Sequence, residues 1–182
     1  MTELGMALSN PYRGDRRPGH VGQPLPGVKI KRVDESGNDI LDDATPGELA
    51  VKSQTAFREY WGNVTSTEKA FADGWFLTGD IAVIDEGAYR ILGRASIDII
   101  KSGGFKLSAL EIEATLLEHP NVSEVAVIGV PDHEWGELVA CALVVHEQVS
   151  QESLIKWARE RMSAYKVPRK WHFTDALPRN AL

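Results

Sequence analysis

Several short segments hold residue types that could do chemistry. Asp73-Gly74-Trp75-Phe76-Leu77-Thr78-Gly79-Asp80 places a carboxylate directly after a glycine turn. An ionised carboxylate accepts hydrogen bonds through two oxygens and suits a pair of adjacent hydroxyls such as a ribose diol. An ordinary turn aspartate fits the same spacing. Arg94, after Gly93, offers a guanidinium for ribose or phosphate, or simply a charge between two domains. Lys101-Ser102-Gly103-Gly104-Phe105 is a glycine turn between apolar strands. Such glycines admit a ligand close to the main chain, and a hairpin accounts for them equally well. No Gly-Lys-Ser/Thr ending makes it a phosphate loop of the nucleotide-triphosphatase kind. Thr2-Glu3 brings together a hydroxyl and a carboxylate, hard oxygen donors of the kind magnesium prefers.

The elements that must position these groups follow from pattern. Val28–Val33 starts by alternating apolar and polar residues, and Gly47–Lys52 reads as a second strand. Thr65, with Glu68 three residues on, predicts a capped helix, and two strands flank the turn at Asp85-Glu86-Gly87. Beyond Arg94 the pattern changes. Ser108-Ala109-Leu110-Glu111 opens a helix whose face carries Ala109, Ile112 and Leu116. Val122–Val130 and Leu138–Val145 predict strands, Ser150 caps a helix through Leu154, Ala158 and Met162, and Trp171–Phe173 is a last short strand. The boundary falls at about 94 to 98.

Composition narrows the class. The 182 residues carry a formal charge of -6, and the basic clusters Arg16-Arg17 and Lys29-Lys31-Arg32 read as solvated faces, so a nucleic-acid partner is not expected. The single cysteine, Cys141, sits in an apolar run and reads as a small buried hydrophobe. No apolar run approaches a membrane span, the histidines show no ligand spacing, and the five tryptophans read as core.

In order along the chain, Thr2-Glu3, Gly47-Glu48-Leu49, Tyr60-Trp61, Asp73 to Asp80, Gly93-Arg94, Gly103-Gly104-Phe105, Glu111-Ile112-Glu113 and Leu177-Pro178-Arg179-Asn180 resemble the signature of the adenylate-forming enzymes. That family contains acyl-CoA synthetases, luciferases and peptide-synthetase adenylation domains. The resemblance implies an α+β chain. Residues 1–94 would be the end of the large adenylation domain, a β-rich barrel subdomain, and residues 95–182 the small mobile lid. It implies two half-reactions: a carboxylate attacks ATP to give an acyl-adenylate and pyrophosphate, then the lid turns and a thiol displaces AMP. Thr2 and Glu3 would contact ATP phosphates and Mg2+, Asp80 and Arg94 would hold the ribose, and Lys101 would serve the thioester half-reaction. Ser102, Gly103 and Gly104 would line the path of CoA. The stretch from Arg94 to the double glycine is one residue longer than in most members, leaving Ser96 or Asp98 as the hinge.

Ser9-Asn10-Pro11-Tyr12, Gly14-Asp15-Arg16 and Leu25-Pro26-Gly27-Val28 look most like the malonyl-CoA synthetase branch, with Met6 in the acyl pocket and malonate as the carboxylic acid. Other short- or medium-chain acyl-CoA synthetases, or a peptide-synthetase adenylation domain loading a carrier protein, are the alternatives. A bacterial cytoplasm or a mitochondrial matrix fits, and the oligomeric state is not given. The family's adenylation lysine follows the Pro-Arg-Asn segment, and the chain ends at Leu182 before it, so these residues alone are expected to be inactive.

Overall fold

Extended main chain dominates the first half because β-branched and aromatic residues recur there between glycine turns. The computed structural model describes residues 1–179 and divides into two units, Met1–Ala95 and a second beginning at Ser96. In the first, β1 (Leu8–Ser9) and β2 (Gln23–Pro24) form a two-stranded ribbon. Six further strands form an antiparallel sheet: β3 (Lys29–Val33), β4 (Asp39–Ile40), β5 (Gly47–Lys52), β6 (Phe71–Ala72), β7 (Trp75–Asp85) and β8 (Ala88–Arg94). The order is β4-β3-β5-β7, and β6 and β8 lie end to end along the far side of β7. The mixed α+β class is as expected, but the barrel is not closed. Closure requires the two sheet edges to pair, and among the described residues the two-residue β4 pairs only with β3.

Helix α1 (Val64–Ala70) is capped by Asn63, whose side chain accepts the Ser66 N–H at 3.0 Å, and not by Thr65. Thr67 settles this start: its hydroxyl donates to the Asn63 carbonyl and accepts from the Tyr60 N–H. Arg32 also departs from expectation. It is 3% exposed, and its guanidinium donates to the carbonyls of Asp42, Asp43 and Thr45, fastening the loop before β5. The apolar packing of this unit comes in small groups, one around Leu4, Val51 and Phe76, another around Leu49, Ala82 and Tyr89.

The second unit begins with the hairpin β9 (Ile99–Ser102) and β10 (Phe105–Ser108), followed by α2 (Ala109–Leu117), β11 (Val122–Asp132), β12 (Gly136–Val145), α3 (Gln151–Arg159) and β13 (Lys170–Phe173). The sheet order is β10-β9-β12-β11, and β13 pairs with β12 in parallel. A parallel neighbour needs a crossover, which α3 supplies. Ser108 and Ser150 cap their helices by accepting the N–H three residues on, each worth about 1 kcal/mol. Ala109, Ile112 and Leu116 of α2 and Leu154 and Ala158 of α3 bury against Val127, Val139, Cys141 and Leu143 in one continuous core. Burial pushes the Cys141 thiol up to about 12. Trp61 is not core: it is 95% exposed.

Candidate functional site

Asp80 does not follow a turn; it lies inside the long strand β7. On the β5 side the register jumps from Ile81↔Glu48 to Leu77↔Ala50, so Thr78-Gly79-Asp80 faces Leu49 alone. On the β8 side the register shifts between Ile81 and Ala82. Such a bulge re-aims a side chain without ending the strand. Gly79 takes φ +75°, open to glycine at little cost. Its N–H donates to Glu48 Oε1 at 2.8 Å, and the Thr78 hydroxyl accepts the Asp80 N–H at 3.1 Å.

Strand pairing then sets Arg94 opposite Asp80. Arg94 Nε lies 2.9 Å from Asp80 Oδ1, and a second guanidinium nitrogen donates to the Thr78 carbonyl at 2.8 Å. Side-chain exposures of 50% and 21% make the pair worth about 1 kcal/mol or less, so its effect is orientation more than stability. A Cβ at position 79 would sit 3.1 Å from the guanidinium, so glycine there keeps the arginine in place.

Glu3 is fixed from two sides. Leu4 is buried beside it, and the Glu3 carbonyl accepts the Phe57 N–H at 2.7 Å. Its carboxylate accepts from the Tyr60 hydroxyl at 3.2 Å. Burial foremost, then the Glu3 carboxylate, holds the Tyr60 phenol above its usual value and keeps it a donor. The Arg94 charge acts in the opposite sense. The pairs Glu3–Tyr60 and Asp80–Arg94 both lie in the first unit. Thr2 is exposed in the preceding turn, and Met6 is 66% exposed. An open recess of about 810 Å³ among Asn10, Arg16, Arg17 and Glu86 includes neither Asp80 nor Arg94.

In the second unit Lys101, Ser102, Gly103 and Gly104 do form a hairpin, with φ +57° and +82° at the two glycines. Ser102 is buried and Lys101 exposed. Residues 95–98 are a turn. Ala95 N–H donates to Gly79 of the first unit, and the Asp98 carbonyl accepts from Ala109 of the second, leaving Ser96 and Ile97 between. Glu113 accepts the Val127 N–H at 2.7 Å; burial raises its carboxyl, that hydrogen bond offsets part of the rise, and the Asp98 charge adds to it. Arg179 pairs with Glu124, and Asn180 lies outside the described residues. The residue reading gave no role to Glu48 or Tyr60, although both stand in the ordered signature. Nothing in the signature points to Glu137, whose carboxylate accepts the Lys101 N–H.

Comparison with known proteins bears on both units. Residues 1–61 match the AMP-binding enzyme family and residues 111–182 the AMP-binding enzyme C-terminal domain. The chain is 45% identical to the mitochondrial malonate–CoA ligase ACSF3 of Bos taurus, covering 100% of this chain and 35% of that protein. It is 44% identical to a malonate–CoA ligase of Arabidopsis thaliana, covering 100% and 32%. ATP-bound MatB from Rhodopseudomonas palustris superposes with a TM-score of 0.86 at 40% identity, over 100% of this chain and 37% of that one. The chain therefore spans about a third of the length of the curated relatives it matches.

Proposed function

From the premise that this chain belongs to the AMP-binding enzyme family, we propose that it serves an ATP-dependent acid–thiol ligase that makes malonyl-CoA from malonate. The observation that carries this reading is the bulge-mounted Asp80 paired with Arg94. The Asp80 carboxylate would accept from the ribose hydroxyls, while Arg94 holds it in register. Glu3, steadied by Tyr60, and Thr2 would face the phosphates. Among the described residues no group of three acidic, histidine or cysteine side chains could hold a metal. Mg2+ suits a single carboxylate completed by phosphate oxygens, so Glu3 fits it as one ligand, and when bound the ion offsets phosphate charge.

The second half-reaction falls to the second unit. Lys101 and the Gly103-Gly104 turn would present main chain to the thiol, and the pivot would be Ser96, since the Asp98 carbonyl is already tied to α2. The malonate assignment is supported by the two malonate–CoA ligases named above. Those relatives are a mammalian mitochondrial and a plant protein and the solved neighbour is bacterial, so the reading spans mitochondrial matrix and bacterial cytoplasm. No helix of the described residues is long and apolar enough to cross a membrane.

The test is CoA-dependent AMP formation by the full-length protein with malonate, methylmalonate, acetate and a longer monocarboxylic acid. Malonate should give the highest kcat/KM. Preference for a monocarboxylate would overturn the malonate assignment, and transfer of the acyl group to a carrier-protein thiol, with AMP leaving and no CoA required, would overturn the acyl-CoA reading.

A further inference from the structure

The hairpin that turns at Lys101–Gly104 buries Ile100 and Leu107 in the core, but its main-chain pairing to the sheet is sparse. β9 meets β12 at one paired position, Gly136↔Ser102. The contacts on either side of that position come from consecutive residues. Glu137 Oε2 accepts the Lys101 N–H at 2.6 Å, and the Trp135 carbonyl accepts the Gly103 N–H at 3.0 Å. Three successive residues, Trp135-Gly136-Glu137, therefore meet Lys101, Ser102 and Gly103 in reverse order. We propose that they form a clamp that sets the hairpin for thiol transfer, with Glu137 as its positioning residue; the transfer role rests on the ligase reading above.

The surroundings are shaped to this contact. Gly136 takes φ +76°, and a Cβ there would lie 3.3 Å from the Lys101 carbonyl. A Cβ on Gly103 would lie 2.9 Å from the Trp135 ring, and the Arg169 guanidinium stacks 3.8 Å from the centre of that ring. Gly129 on β11 is the most telling. It has no positive φ to require glycine, yet a Cβ would lie 2.8 Å from the Glu137 carboxyl carbon and from Oε1. The bare position leaves room for the carboxylate to reach the Lys101 N–H. A carboxylate bonded to a backbone N–H is a charge-assisted contact, roughly twice as strong as a neutral one. It orients the main chain from which the Lys101 side chain leaves and the glycine turn begins.

Three variants of the full-length protein test the clamp. Glu137→Ala removes the acceptor, Glu137→Gln keeps an acceptor oxygen without the charge, and Gly129→Ala pushes the carboxylate aside while changing only a flexible side-chain end. Amide exchange over residues 99–105 should quicken about ten-fold in Glu137→Ala and Gly129→Ala, and by clearly less in Glu137→Gln, which keeps a neutral acceptor. Thioester formation from pre-formed acyl-adenylate should fall about 10- to 100-fold in the first two, with adenylate formation within about two-fold of wild type. Should Glu137→Ala fail to fold, Gly129→Ala decides. Unchanged exchange in both, equal loss in the two half-reactions, or a Glu137→Gln variant as impaired as Glu137→Ala would each overturn the proposal. A wild-type protein that adenylates no acid would overturn the ligase reading and the transfer role with it, while exchange still judges the clamp.

Discussion

The two units hold their candidate residues by different means. In the second, one continuous core from α2 and α3 to β11 and β12 underlies the hairpin. In the first, the described buried groups are smaller and joined through Ile30, and Asp80, Arg94 and Glu3 are placed by polar contacts and strand register. A continuous core resists local change because each side chain is packed on many sides. A site placed by register and a few polar bonds can be altered with little loss of stability. The difference suits the roles proposed: a fixed grip on a nucleotide sugar in one unit, and in the other a rigid body that carries a loop.

The largest expected effect concerns Cys141, which is 3% exposed with its thiol pushed up to about 12 from 9.0. Three pH units of lost thiolate predict native labelling by a disulfide reagent about 1000-fold slower than in the unfolded chain. Because the folded thiol binds its proton more tightly than the unfolded one, it contributes stability that is complete below about pH 9 and declines as pH rises toward 12. Rapid native labelling would break the picture of a continuous core.

Next in size, Leu154→Ala should cost about 2–5 kcal/mol in urea unfolding. The loss of amide protection should fall on β11, β12 and α3; equal loss in β5 and β7 would show that the two cores unfold together. Smallest is Asp80→Ala, which should weaken ATP binding by about 1.5–3 kcal/mol through loss of a charged acceptor. Its urea midpoint should stay close to wild type. A large stability loss with unchanged ATP affinity would reverse the contrast between the two units.

Local signals were legible in the sequence where the physics is local. Ser108 and Ser150 announced their helices because capping involves only the next three residues. The strand read at Gly47–Lys52 has the bounds the structure gives it, with Leu49, Ala50 and Val51 all buried. What could not be read depends on residues far apart in the chain. The bulge at Thr78–Asp80 exists only against Leu49, and Gly79 was read as a turn because glycine serves both. Arg32 was read as solvated because its carbonyl partners, ten to thirteen residues on, are supplied by a loop of no pattern. Glu137 meets Lys101 across 36 positions and through a sheet contact of one pair, which no periodicity reveals. Trp61 shows the converse: a large aromatic residue whose type suggests burial stands in solvent beside Tyr60, whose hydroxyl holds Glu3.

The bulge also sets where this molecule can tolerate changes in length. Between Leu77 and Ile81 the chain carries two more residues than the strand opposite, and that surplus gives Asp80 its heading. One residue gained or lost there would exchange the inward and outward faces of the remaining strand and turn Asp80 away from Arg94. Insertions and deletions among natural variants should therefore collect at the exposed turn of residues 35–38 and avoid the five positions from Leu77 to Ile81, even though both stretches contain a glycine with positive φ.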